Sequence, residues 1–158
     1  QGNNSVAGLN KSDIDKPYKV GYIAGVFDLF HIGHLNMFKR AKEQCRYLIV
    51  GVVSDEGVRL NKQAEPFVPF DERIEMVRSC KYVDEAIKLP LDFCGTRDMF
   101  KIYHFDVQFS GSDYEHDPAW LAEKEFLEKN GSTMVFFPYT QSTSSTKLKK
   151  AIENRINN

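Results

Sequence analysis

Five short runs rich in β-branched and aromatic residues, Tyr18–Ala24, Tyr47–Ser54, Glu85–Leu89, Val107–Ser110 and Thr133–Phe137, recur along this chain, with gaps between them long enough for a helix. Each run is bounded by Gly, Pro, Ser or Asp, the usual punctuation of strands. In the first gap, His34 to Gln44 places Leu35, Phe38, Ala41 and Cys45 at helical spacing, with Lys39, Arg40, Lys42 and Glu43 on the other side. Asp71 to Cys80 repeats that pattern through Ile74, Val77 and Cys80. A third helix is predicted from an Asp117 N-cap, with Pro118 in its first turn, to Asn130 and Gly131, where glycine can take the left-handed position after the helix end. The last helix begins among Ser144, Ser145 and Thr146 and runs to about Asn154. Strands joined by helices form right-handed crossovers, so the alternation predicts a doubly wound, Rossmann-like α/β fold: one parallel sheet in a three-layer α/β/α domain.

The chain of 158 residues has room for one such domain and not for two. With 21 Lys+Arg against 22 Asp+Glu and no block of like charge, it lacks the basic footprint of a nucleic-acid binder, while a small anionic ligand is compatible. No apolar run approaches the ~20 residues that cross a bilayer, and the amino terminus has no signal-peptide pattern. No membrane partner is therefore expected, and a cytoplasmic location is. Cys45, Cys80 and Cys94 are odd in number and suit neither a disulfide framework nor a CxxC metal clip, which makes them reduced core residues. Residues 1–16 are polar and do not begin with Met, so they read as an extension, a processed end or an expression remnant, with the domain spanning 17–158.

Doubly wound sheets bind ligands at the carboxyl ends of their strands. The joints to inspect are Gly25–His34, Ser54–Lys62, Gly111–Asp117 and Pro138–Thr146. In the first, Gly33 removes a side chain where the backbone can approach a phosphate, and the helix that follows directs unpaired N–H groups and about half a positive charge at the same spot. His31 and His34 are three apart and can face one ligand. Beside a phosphate they are favoured as cations and can donate to oxygens that gain charge during transfer. A zinc site is the rival use of such a pair, but no further ligands stand at metal-site spacing.

Gly25, Phe27, Asp28, His31, Gly33 and His34 together resemble the GxFDxxHxGH signature of the cytidylyltransferase family of nucleotidyltransferases. The resemblance extends over roughly Tyr18 to Ile156. It implies catalytic roles for His31, His34 and Lys62, the last on a loop reaching the triphosphate or the acceptor phosphate. Asp71-Glu72-Arg73 and Lys81-Tyr82-Val83-Asp84-Glu85 resemble family segments beside the dimer contact and the nucleotide, which makes Arg73 and Lys81 candidate nucleotide ligands. Gly111 and Asp113 match the family's GDDW-like element, with Tyr114 as its aromatic residue. Thr140, Ser144, Ser145 and Thr146 match in type the family's RTEGISTT-like motif, whose hydroxyls and helix N–H groups cradle phosphate. Tyr139 stands where that motif has arginine and Gln141 where it has glutamate, so one charge-assisted contact is missing; Lys147 is a substitute cation.

The resemblance implies CTP-dependent transfer of CMP to a phosphorylated small alcohol, glycerol 3-phosphate first and phosphocholine, phosphoethanolamine or a sugar phosphate as alternatives. Mg²⁺ is expected with CTP, held largely by phosphate oxygens, and a homodimer is expected near Lys81–Glu85. Tyr103, Tyr114, Trp120 and Tyr139 could contribute to an aromatic cage for a quaternary ammonium. Adenylyl transfer from ATP, as in relatives that make dinucleotide cofactors, and a nucleotide-binding module without turnover are the other two readings.

Overall fold

A computed structural model describes residues 11–89, 91, 95–138 and 145–157 of the chain. Five strands, β1 (Tyr18–Gly25), β2 (Cys45–Val53), β3 (Glu85–Leu89), β4 (Val107–Gly111) and β5 (Met134–Phe137), form one sheet in the order β3-β2-β1-β4-β5. All four pairings are parallel, with Tyr18 opposite Cys45 and Gly25 opposite Val52 along the long central pair. Strand order reverses between β1 and β4, so the carboxyl end of β1 opens onto the switch point of the sheet.

Seven helices join or flank the strands among the described residues: α1 (Lys11–Ile14), α2 (Ile32–Gln44), α3 (Asp55–Lys62), α4 (Phe70–Arg78), α5 (Thr96–Tyr103), α6 (Pro118–Lys129) and α7 (Ser145–Asn157). Side chains alternate across the sheet, and both faces are covered. On one face Ile23, Leu48 and Val50 pack with Phe38 and Ala41 of α2 and Ile74 and Val77 of α4. On the other Tyr22 and Ile49 pack with Phe105, Leu127 and Met134, with Phe100 of α5 and Phe126 of α6 around them. Complete burial of such side chains contributes roughly 1.5–3 kcal/mol each, and the continuous apolar character of β2 follows from burial on both sides.

Four of these helices match the expected ones within a few residues, and α1, α3 and α5 are additions. The Ser54–Lys62 joint is a helix rather than a loop: the Ser54 hydroxyl accepts from the Gly57 N–H, Asp55 and Glu56 occupy the first turn, and Val58 is buried. Its signal was an N-cap serine followed by acidic residues, set on a segment with only one buried apolar side chain. α5 begins at Gly95 in a left-handed conformation and has no side-chain cap. Part of the polar extension is attached to the body. Arg46 donates to the carbonyls of Asp13 and Ile14, and the Lys16 ammonium donates to the Lys42 carbonyl. Cys45 and Cys80 are free thiols, Cys45 buried with its pKa pushed up to about 11 by desolvation; Cys94 lies outside the described residues. No helix among the described residues is long and apolar enough to cross a membrane.

Candidate active site

The turn after β1 explains the spacing of the first motif. Phe27 and Leu29 both have left-handed backbones, with φ of 56° and 51°, a conformation that non-glycine residues adopt only when their surroundings hold them in it. The turn at Phe27 folds its ring back over Gly25, where a Cβ would lie 2.8 Å from Phe27 Cζ. The same ring packs edge-on against Phe38 and His34. Gly25 and Phe27 thus shape the site from beneath, and the Phe27 ring is buried.

His31 is the N-cap of α2. Its Nδ1 accepts from the Gly33 N–H at 3.0 Å, and the His31 N–H donates to His34 Nδ1 at 3.2 Å, a reciprocal box built from two imidazoles. With both Nδ1 atoms accepting, each neutral ring carries its proton on Nε2. The rings lie 3.9 Å apart between centroids. Burial lowers the pKa of His31; burial and then the neighbouring His31 charge push His34 down to about 3, against a smaller upward pull from Asp28. At neutral pH these shifts make both histidines neutral donors, and an adjacent phosphate would pull both pKa values up. His34 Nε2 is 3.5 Å from Ser145 Oγ, and that hydroxyl donates to the Asp28 carbonyl at 2.6 Å.

A cleft of about 610 Å³ opens beside this pair, within the size range of small-molecule sites. Its sequence-predicted lining is His31, Gly33, His34, Gly111, Ser145 and Thr146, brought together from the ends of β1 and β4 and the starts of α2 and α7. The outer wall departs from the expected solvated face of α2. Lys39, Arg40 and Glu43, on the polar side of α2, line the cleft, with Arg40 5.8 Å from the centre of the Phe137 ring. No sequence signal separates a solvated helix face from one that walls a cleft.

Asp28 is a hub beside the cleft. It is 2% exposed and accepts from the Phe67 and Val68 N–H groups, while Lys149 of α7 lies 3.1 Å from Oδ2. Burial raises its pKa, but the two amides and Lys149 outweigh that and hold it below the ordinary value. Lys62, predicted on a loop, is the last residue of α3, where desolvation and the Lys149 charge lower its pKa against the attraction of Asp113 and Asp28. Asp113 sits in the short 3₁₀ turn after β4, ahead of Tyr114, whose ring packs tilted against that of Trp120 with centroids 4.4 Å apart. Lys149 is the residue that sequence reasoning missed; Lys147 was named as the substitute cation, yet it is Lys149, one turn after Ser145, that shares its face.

Two predicted nucleotide contacts lie elsewhere. Arg73 is 1% exposed: Nε donates to the Val68 carbonyl, Nη1 to those of Val26 and Val53, and Nη2 pairs with Asp55 at 2.6 Å. It ties the turn after β1, the end of β2, the start of α3 and the 66–69 loop together from inside, and it does not line the cleft. Lys81 is exposed at the amino-terminal end of β3, 5.3 Å from the Tyr82 ring, whereas the histidines stand at the carboxyl end of parallel β1. Tyr139, Thr140, Gln141 and Ser144 lie outside the described residues.

The parallel sheet, with a histidine-capped helix at its switch point and a cleft over that helix end, defines a doubly wound α/β protein with its cleft where such folds place their ligands. Residues 22–151 match the family model described as cytidylyltransferase-like, and the chain belongs to that family of nucleotidyltransferases. It is 37% identical over 139 residues to an FAD synthase of Thermococcus kodakarensis, covering 85% of this chain and 89% of that protein. It is 41% identical over 141 residues to an ethanolamine-phosphate cytidylyltransferase of Dictyostelium discoideum, of whose length it spans 39%, and 32% identical over 128 residues to a glycerol-3-phosphate cytidylyltransferase of Bacillus subtilis, of which it spans 92%. Among solved structures, a lipopolysaccharide core biosynthesis protein of Thermoplasma volcanium superposes with a TM-score of 0.63 at 25% identity, over 80% of this chain and 99% of that one.

Proposed function

We propose that this protein transfers CMP from CTP to a phosphorylated small alcohol. An oxygen of the acceptor phosphate attacks the α-phosphorus, a new P–O–P bond forms, the bond to the β-phosphate oxygen breaks, and pyrophosphate leaves. The attacking oxygen is already ionised near neutral pH, so the reaction needs positioning and charge stabilisation more than a general base. The observation that carries this reading is the imidazole pair: two Nε2–H donors, their Nδ1 atoms occupied by backbone N–H groups, held at a helix N-terminus beside a cleft of nucleotide size. Such preorganised donors stabilise charge that develops on the transferring phosphoryl group. Ser145 and Thr146, at the start of α7, are suited to hold the leaving pyrophosphate.

Among the described residues no cluster of His, Cys, Asp and Glu could hold a metal ion. The donor set fits Mg²⁺ as the companion of the nucleotide, held by phosphate oxygens, and it supplies charge neutralisation there. Relatives named for ethanolamine phosphate and glycerol 3-phosphate support a phosphomonoester acceptor, and glycerol 3-phosphate is the acceptor proposed here. Self-association as a homodimer near Lys81–Glu85 belongs to the same proposal and is read from the mass in solution.

A second reading, adenylyl transfer from ATP, is favoured by the match to an FAD synthase over most of both chains. FAD is an adenylyl group joined to a flavin phosphate through a pyrophosphate link, so the chemistry at the phosphorus is the same and only the base and acceptor differ. Pyrophosphate release with CTP or ATP against glycerol 3-phosphate, phosphoethanolamine, phosphocholine and riboflavin 5′-phosphate separates the two. CTP-selective turnover supports the first, ATP-selective turnover the second, and nucleotide binding without turnover overturns both.

A further inference from the structure

The cleft beside the imidazole pair does not end at the amino terminus of α2. It continues along the outer face of that helix, where Lys39 and Arg40 join its lining, and Phe137 and Pro138 at the end of β5 bound it on the other side. Arg40 follows Gly33 by seven residues, about 20° short of two full turns, so the two share one stripe of α2 and lie about 10 Å apart along its axis. Helix side chains lean toward the amino terminus, so Arg40 leans back along that stripe toward the imidazoles. Arg40 is exposed, yet its guanidinium is placed 5.8 Å from the centre of the Phe137 ring. That ring is buried and stacked on Phe109, with centroids 5.1 Å apart and planes at 14°, which makes it a fixed platform. Among the described residues no carboxylate pairs with Arg40, so its donors face the cleft already positioned.

The proposed transfer sets what such a cation meets. The imidazoles serve the phosphoryl group that is transferred, and the two outer phosphates depart together as pyrophosphate, on the side opposite the attacking oxygen. Ser145 and Thr146 line the same cleft and offer that pair hydroxyls and helix N–H groups, which carry no net charge. Pyrophosphate carries several negative charges, and the lysine and arginine of the cleft wall are Lys39 and Arg40. Of the two, Arg40 shares the Gly33 stripe; Lys39 lies about a third of a turn away and also lines a separate pocket beside Lys16 and Tyr82. Arginine matches a phosphate with two parallel N–H donors, which a lysine cannot do. We infer that Arg40, held over Phe137, binds the terminal phosphate of the nucleoside triphosphate and stabilises the leaving pyrophosphate. It thereby supplies from α2 the cation that the last motif lacks, where Tyr139 occupies the expected arginine position. This inference rests on the transfer reaction proposed above.

The test uses the whole chain with CTP, or with ATP where that nucleotide turns over. Arg40→Gln removes the charge and the two-donor fork from an exposed helix position while keeping a good helix former there. KM for the triphosphate is expected to rise about tenfold or more, the size of one charge-assisted phosphate contact, and the inhibition constant of inorganic pyrophosphate to rise with it. KM for the acceptor and the inhibition constant of the nucleoside monophosphate, which lacks the outer phosphates, are expected to stay within about threefold of wild type. A smaller rise in the triphosphate KM, or an equal rise for the monophosphate, overturns the inference while leaving the reaction standing. Should the glutamine variant not fold, Arg40→Ala decides by the same criteria. If no nucleotide turns over, the proposed reaction fails, and calorimetric titration with the triphosphate and the monophosphate judges Arg40 by itself. A Kd raised about tenfold for the triphosphate and kept within about threefold for the monophosphate supports the assignment. Equal changes, a smaller change, or no binding of the triphosphate by the wild type overturns it.

Discussion

Phe27 meets His34 edge-on, with ring centroids 5.4 Å apart and planes at 79°, and it reaches that position only because its backbone is left-handed. The two residues are coupled through Gly25, which leaves the space over which the Phe27 ring folds. A residue with no side chain thus sets the orientation of an imidazole nine positions later.

Gly25→Ala tests that coupling. The new methyl would lie 2.8 Å from a ring that is 7% exposed and packed against Phe38 and His34, so the ring has no free volume to move into. Overpacking of this kind costs about 1–3 kcal/mol, and displacement of His34 lowers kcat beyond what the stability loss accounts for. Thermal melting together with kcat at a temperature where both proteins are folded checks it; an unchanged kcat would show that the ring and the imidazole are independent.

His34→Asn separates the two nitrogens of one imidazole. The asparagine oxygen can accept from the His31 N–H as Nδ1 does, while the Nε2–H donor is lost. We expect kcat to fall roughly a hundredfold with α2 intact, in line with removal of one preorganised donor. The pH dependence has a definite sign. The folded pKa of His34 is about 3, against an ordinary value of 6.5, so between these limits the unfolded chain binds the extra proton. This contribution to stability is complete above pH 6.5 and is lost as pH falls toward 3, with a slope of up to about 1.4 kcal/mol per pH unit. The urea midpoint should fall further between pH 7 and pH 5 in the wild type than in His34→Asn, and equal falls would refute the assignment.

The strands and four helices were legible because burial on two faces imposes its own period on β1, β2 and the inner face of α2, whatever the ligand. α3 was less legible, since Val58 and Gly57 are its buried residues and most of its surface is polar. The histidines could be read as a pair because three-residue spacing at a helix start makes a capping box, which is a local relationship. Arg40 and Lys149 could not, because their significance depends on Phe137 and Asp28, both more than 90 residues away in the chain. Arg73 misled for the same reason: a charged residue near a ligand-binding joint reads as a ligand contact until the carbonyls of Val26, Val53 and Val68 are seen around it.

Arg73→Met is accordingly a stability variant. Removing the guanidinium leaves three inward carbonyls and Asp55 without their partner, and each unsatisfied buried acceptor costs about 1–3 kcal/mol. We expect a loss of about 3 kcal/mol or more in chemical denaturation, with KM for the nucleotide within threefold of wild type in the folded fraction. A tenfold higher nucleotide KM at unchanged stability would instead place Arg73 at the ligand.

Asp28→Asn removes the charge from the hub while nearly preserving its shape. One carboxylate oxygen becomes an NH₂ group, so one of the Phe67 and Val68 N–H groups faces a donor, and Lys149 loses its ion pair. The expected cost is about 2–3 kcal/mol, the size of a lost charge-assisted bond plus an unsatisfied amide. Because the folded pKa of Asp28 lies below 3.8, its contribution is present above that value and is lost as pH falls through the folded pKa. The deficit of Asp28→Asn should therefore be full at pH 7 and shrink in acid, the reverse of a substitution that only disturbs packing. Denaturation midpoints of both proteins at pH 7 and pH 3 measure it, and a deficit independent of pH would show that the Asp28 carboxylate is not what holds α7 and the 66–69 loop to the turn after β1.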